Sequence, residues 1–145
     1  MDIFSTIKKD HDEFRKLFDK LTEKPSRGDF QKLYRDGASH MAAEERTLYP
    51  ALQDTEVRAL ALEALEEHNV ARQELQQIEQ LSFKDEHWLP KFTVLCDLVR
   101  HHMGVEEKEI FAKAKKLFDQ EQLDTLLKEF NAAKKEAVAE VSASK

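Results

Sequence analysis

The chain is predicted to be all-α: an up-down-up-down four-helix bundle with an additional C-terminal helix. Three observations carry that prediction. Charged residues make up 36% of the 145 positions, while glycine and proline supply three each; this suits long helices and starves a turn-rich sheet. Apolar residues recur at intervals of three and four along most of the chain, the period of a helix with one face turned inward. The breakers gather in a few short stretches that separate these periodic runs.

The first helix is expected from Ser5 to Glu23, with Ile7, His11, Phe14, Leu17, Phe18 and Leu21 inward. Pro25-Ser26-Arg27-Gly28-Asp29 ends it, since proline cannot continue a helix and its neighbours favour turns. A second helix is expected from Asp29 to Gln53, with Phe30, Leu33, Gly37, His40, Glu44 and Leu48 on one face. Pro50 sits late in it and loosens or bends the final turn. The third spans Thr55 to Leu81, with Val57, Ala61, Ala64, His68, Ala71, Leu75 and Ile78 inward, and Ser82-Phe83-Lys84-Asp85-Glu86 connects it onward. The fourth starts at Trp88, carries Phe92, Leu95, Val99, His102 and Glu106, and ends around Phe118. Asp119 then caps a fifth helix that reaches Val141 and packs Leu123, Leu126, Leu127, Phe130 and Ala133 on the bundle. Residues 1–141 are thereby expected to form one domain, and 142–145 a disordered tail.

Composition excludes several roles. The net charge is −6 and the basic residues do not collect into a block, so nucleic acid is not expected as a partner. No apolar run approaches the length of a membrane span, and Met1-Asp2-Ile3-Phe4 lacks a basic-then-apolar signal segment. One cysteine, Cys96, cannot form an internal disulfide. A cytoplasmic compartment fits these absences.

The chain writes one phrase twice: His40-Met41-Ala42-Ala43-Glu44-Glu45-Arg46 and His102-Met103-Gly104-Val105-Glu106-Glu107-Lys108. Histidine and first glutamate are four apart in each, so they share a helix face one turn apart. Upstream of each phrase another histidine stands on an apolar stripe, His11 and His68. All six positions fall near mid-helix, which in an antiparallel bundle means one depth. Ionised carboxylates in a dry core are costly without a compensating cation, so four histidines and two glutamates buried together make sense around two divalent ions. Imidazole and carboxylate suit iron, manganese or zinc. Each half offers two histidines and one glutamate, a set that leaves positions open on iron.

The order His, His-x-x-x-Glu, His, His-x-x-x-Glu resembles the hemerythrin-like, or HHE cation-binding, domain, over about Ile3 to Ala137 and including Leu48-Tyr49-Pro50. The resemblance implies that His11 and His40 hold one iron and His68 and His102 the other. It implies that Glu44 and Glu106 bridge the pair, with an oxo or hydroxo group between the metals. Zinc or manganese would take the same donors. Oxygen-carrying hemerythrins use a further histidine where Arg72 stands and end on His-x-x-x-x-Asp, so simple oxygen carriage is not what this pattern implies. His101 lies five before Glu106 and is an alternative ligand, although alignment with His40 favours His102.

The remaining polar residues have blander readings. Glu45 and Glu107 turn about 100° away from the ligand glutamates and read as surface charges, with a hydrogen bond to the back of a ligand as the alternative. Tyr49 reads as packing at a helix end, with a hydrogen bond toward the site as the alternative, His87 as solvent-facing and Cys96 as an inert buried thiol. Met41 and Met103 read as core filling rather than as copper ligands. The expected function is a non-haem di-iron protein that binds or senses an oxygen-related small molecule: dioxygen, peroxide or nitric oxide. A di-iron enzyme that decomposes peroxide or reduces nitric oxide is the alternative, as is an interaction module with a structural metal. No protein partner is indicated.

Overall fold

The computed structural model describes residues 1–143, and all regular structure among them is helical. Helix α1 spans Ile3–Glu23 and α2 spans Arg27–Arg46. A single-turn helix α3, Leu48–Ala51, leads to α4, Arg58–Glu79, and then α5, Trp88–Val105. A π-helical turn over Glu106–Ile110 joins α5 to α6, Phe111–Ala114, and α7 closes the chain from Gln120 to Ala143. Helices α1, α2, α4 and α5 form a ring in which α1 and α4 each touch α2 and α5. Chain neighbours are space neighbours joined by connecting segments, which makes the four-helix bundle that the periodicity predicts. Helix α7 lies across it, packed most extensively on α2.

The helix starts follow their caps. Asp2 accepts a hydrogen bond from the Ser5 N–H at 2.8 Å, so α1 begins two residues before the expected Ser5. Ser26 does the same for α2 by accepting from the Asp29 N–H, and Asp119 for α7 by accepting from the Gln122 N–H. Residues Thr55 to Val57 form a turn rather than the opening of α4, with the Arg58 N–H donating to the Thr55 carbonyl. The expected disordered tail is shortened, because α7 continues through Ser142 and Ala143; Ser144 and Lys145 lie outside the described residues.

Two expected helices are interrupted. The second breaks at Thr47 instead of reaching Gln53. Pro50 explains the place: it has no N–H for the Arg46 carbonyl, and its ring would press on that same carbonyl. Thr47 turns to φ −127°, and its hydroxyl donates to the Ala43 carbonyl at 2.7 Å. The fourth helix ends at Ala114 rather than Phe118, and it contains the π turn, in which the Phe111 N–H donates to the Glu106 carbonyl five residues back. Such turns often mark functional sites, and this one starts on Glu106.

The apolar core divides in two. One cluster joins Ile3, Phe4, Ile7, Leu48, Val57, Ile110, Phe111 and Phe130; the other joins Phe14, Phe18, Leu21, Leu75, Trp88, Phe92 and Leu95. Between them on α1 sits His11, after Ile7 and before Phe14. The same holds for His40 and Glu44, His68, and His102 and Glu106 on their helices. No helix among the described residues is long and apolar enough to cross a membrane.

Candidate metal centre

The layer between the clusters contains all six residues that the doubled phrase singles out, and each is buried. His11, His40, Glu44 and Glu106 each bring a donor atom within 4.8 Å of the others, as do Glu44, His68 and His102. Glu44 belongs to both groups. Its Oε1 lies 3.1 Å from His40 Nε2 and 3.3 Å from His68 Nε2. Glu106 Oε1 lies 3.2 Å from His11 Nε2. His101 is exposed and outside both groups, so of the two adjacent histidines it is His102 that joins the layer.

Every imidazole is held from behind by a carboxylate on another helix. His11 Nδ1 donates to Glu107 at 2.7 Å, and His40 to Asp10, His68 to Glu45 and His102 to Glu67, each at 2.8 Å. The pattern is regular: each supporting acid is the chain neighbour of a residue in the layer. Glu45 and Glu107 are therefore not surface charges, which corrects the sequence expectation. They turn off their own helix's inner face, but that direction meets the histidine of the next helix. Three of the four acids are steadied in turn by a cation: Asp10 by Lys134 of α7, Glu107 by Arg15 and Glu45 by Arg72. Arg72 thus acts behind His68 and does not reach into the layer.

These bonds fix which nitrogen faces inward. A neutral ring that donates its Nδ1–H presents a bare lone pair at Nε2. His68 Nε2 and His102 Nε2 face each other at 3.1 Å, close enough to share one proton or one cation. His11 Nε2, His40 Nε2, Glu44 Oε2 and Glu106 Oε1 have no hydrogen-bond partner, although the first two stand close to carboxylate oxygens. Donors around one ion at about 2.1 Å are about 3 Å apart when adjacent, and the distances here match. The residues therefore fit a metal.

Without a metal, the carboxylates of the layer favour a proton on three of these imidazoles, a proton that a bound cation would displace. Burial alone would lower the His40 imidazole, but the Glu44 carboxylate and the Asp10 bond prevail and push it up to about 10. His11 and His68 are likewise raised against burial, by Glu106 with Glu107 and by Glu44 with Glu45. Burial works to raise Glu44, yet His40 and its neighbours hold it well below the usual carboxylate range. Glu106 moves the other way, raised by burial and by the charge of Glu44. The layer concentrates negative charge on Glu44, the residue common to both donor groups.

Tyr49 joins the layer, the role that the sequence reading held only as the alternative to packing. Its hydroxyl donates to Glu106 Oε2 at 2.6 Å and lies 3.4 Å from His68 Nε2 and 3.5 Å from Glu44 Oε1. Burial and the two carboxylates raise its phenol well above the ordinary value, so it stays a donor. The break at Thr47 sets this position, and Pro50 beside it was the available signal. On the opposite side, all four imidazoles border a cavity of about 50 Å³ whose other walls include Phe14, Phe18, Leu33, Ala71, Leu95 and Met103. That volume holds one small molecule of a few atoms.

Cys96 lies in the Trp88 cluster, away from the layer. Burial pushes its thiol up to about 12. We expect no alkylation by iodoacetamide at pH 8 in the folded chain and full alkylation in guanidinium, as read by mass spectrometry. The sign follows: the thiol's contribution to stability is intact below its ordinary value of 9.0 and is lost as pH rises towards 12. His87 is exposed at the start of α5, as expected.

Comparison with known proteins agrees with this reading of the residues. A DNA nickase of Nostoc sp. (strain PCC 7120) is 28% identical over 138 residues, covering 92% of this chain but 39% of that protein. The chain thus spans less than half the length of that relative. No solved structure matches. The family model of the hemerythrin HHE cation binding domain matches residues 2–114, which takes in the whole layer and ends with α6, before α7. The chain belongs to the hemerythrin HHE cation-binding family.

Proposed function

We propose that the chain is a non-haem di-iron protein that binds or senses dioxygen, peroxide or nitric oxide. The observation that carries this reading is a set of buried imidazole Nε2 atoms, grouped around Glu44, on the wall of a small apolar cavity. His11 and His40, with Glu44 and Glu106, would hold one ion. His68 and His102, with Glu44, would hold the other. Iron in such a mixed set supplies open coordination positions and one-electron redox chemistry.

The protein's part is to present and protect. The four supporting acids fix the orientation of each ring and so the nitrogen it turns inward. The mostly apolar lining of the cavity suits a small uncharged molecule. Separate acid-base groups for turnover are not evident beyond Tyr49, which favours binding or sensing over catalysis.

The test is metal content together with optical spectra under argon, air and nitric oxide. Two irons per chain and bands that change with the gas are expected. Failure to take up iron(II), or a spectrum indifferent to all three atmospheres, overturns the proposal; zinc or manganese as the bound metal would overturn the iron assignment alone. The nickase relative suggests DNA strand cleavage as a second reading. The net charge of −6 without a basic block speaks against it here.

A further inference from the structure

We propose that Tyr49 makes the two metal positions unequal, so that one ion binds first and tightly and the other second and weakly. The inference rests on the two-ion reading above and deepens it. Its basis is the way the two glutamates spend their oxygens. Glu44 serves both halves, with Oε1 3.1 Å from His40 Nε2 and 3.3 Å from His68 Nε2. Glu106 does not. Its Oε1 faces His11 Nε2 at 3.2 Å, while its Oε2 accepts the Tyr49 hydroxyl at 2.6 Å and stands 3.7 Å from His102 Nε2.

The result is a group of four donors on one side and three on the other. A carboxylate that bridged both ions would give them equal shares of anionic charge. Here the phenol holds the second oxygen in a short hydrogen bond, and the His68–His102 position relies on Glu44 alone for charge. Tyr49 is only 8% exposed, on the short helix after the Thr47 break, so its ring leaves this place only by repacking its neighbours. The first ion is the resident one, and the second position is the exchangeable one.

The experiment is anaerobic titration of the full, metal-free chain with iron(II), followed by calorimetry, on the native protein and on Tyr49→Phe. The native chain is expected to fill in two steps of one ion each, with affinities at least about tenfold apart. Tyr49→Phe keeps the ring and frees Glu106 Oε2, so the second step tightens about tenfold while the first is unmoved. Far-UV circular dichroism checks that the variant folds. Two equal steps in the native chain overturn the inference while leaving the two-ion reading intact. A Tyr49→Phe second step that weakens also overturns it, and loss of a visible phenolate-to-iron(III) band after air would then identify Tyr49 as a ligand. A native chain that takes up no iron removes the metal centre itself, and this inference with it.

Discussion

Glu44→Gln will leave the bundle helical and strip it of most of its metal. The substitution keeps the shape of a side chain with no exposure to solvent but removes its charge. Both donor groups lose the member they share, and an amide oxygen is a far poorer partner for a divalent ion than a carboxylate. Affinity should fall about 100-fold or more, at or above the upper end of what losing a supporting group costs. The fold survives because the two apolar clusters contain no part of this side chain. His40 keeps Asp10 as its partner at 2.8 Å. Metal per chain by atomic emission, alongside far-UV circular dichroism, checks both halves. His87→Ala, at an exposed position, should change neither. A Glu44→Gln protein that retained two bound ions would refute the shared role given to this residue.

Phe130→Ala should be the most damaging single truncation in the C-terminal helix. Phe130 is fully buried in the Ile3 cluster, and its ring meets the His40 ring edge-on at 5.9 Å. Removing it leaves a cavity under α7, for a cost of about 3–5 kcal/mol. For a domain of this size the melting temperature should drop by about 10 °C. Thermal unfolding of the metal-free and the metal-loaded chain measures it. A loss under about 1 kcal/mol would mean that α7 does not pack in solution as it does here. Because the same helix places Lys134 on Asp10, behind His40, the variant should also weaken metal binding.

The six residues of the layer were legible because each lies on its own helix's inner stripe, and an i, i+4 pair needs no knowledge of any neighbour. His68 and His102 were found that way, at 34 positions' separation. The supporting acids were not, because their role exists only between helices. Glu107 looks outward from its own helix, yet the ring it supports, His11, is 96 residues away. The clue was present as an acid beside four of the six layer residues: Asp10, Glu45, Glu67 and Glu107. The broken second helix and the π turn were hidden for a different reason. A constant 3.6-residue period describes the inner face well until one carbonyl loses its donor, as Arg46 does to Pro50, or one bond slips to a partner five residues away, as at Glu106. Tyr49 depended on the first of these events. Helix order, inner faces and the cap at Asp119 needed only local chemistry.

The division of the core has a consequence for how the helices find their alignment. Apolar side chains on either side of the layer would tolerate sliding, since one leucine or phenylalanine can replace another in a greasy contact. A carboxylate or an imidazole cannot. Shifting any one of the four helices by a turn would carry its layer residue (His11 on α1, His40 and Glu44 on α2, His68 on α4, His102 on α5) into one of the two oily compartments and strand its partners. The layer therefore works as a ruler laid across the bundle, fixing helix register in the way a buried polar pair does in other assemblies.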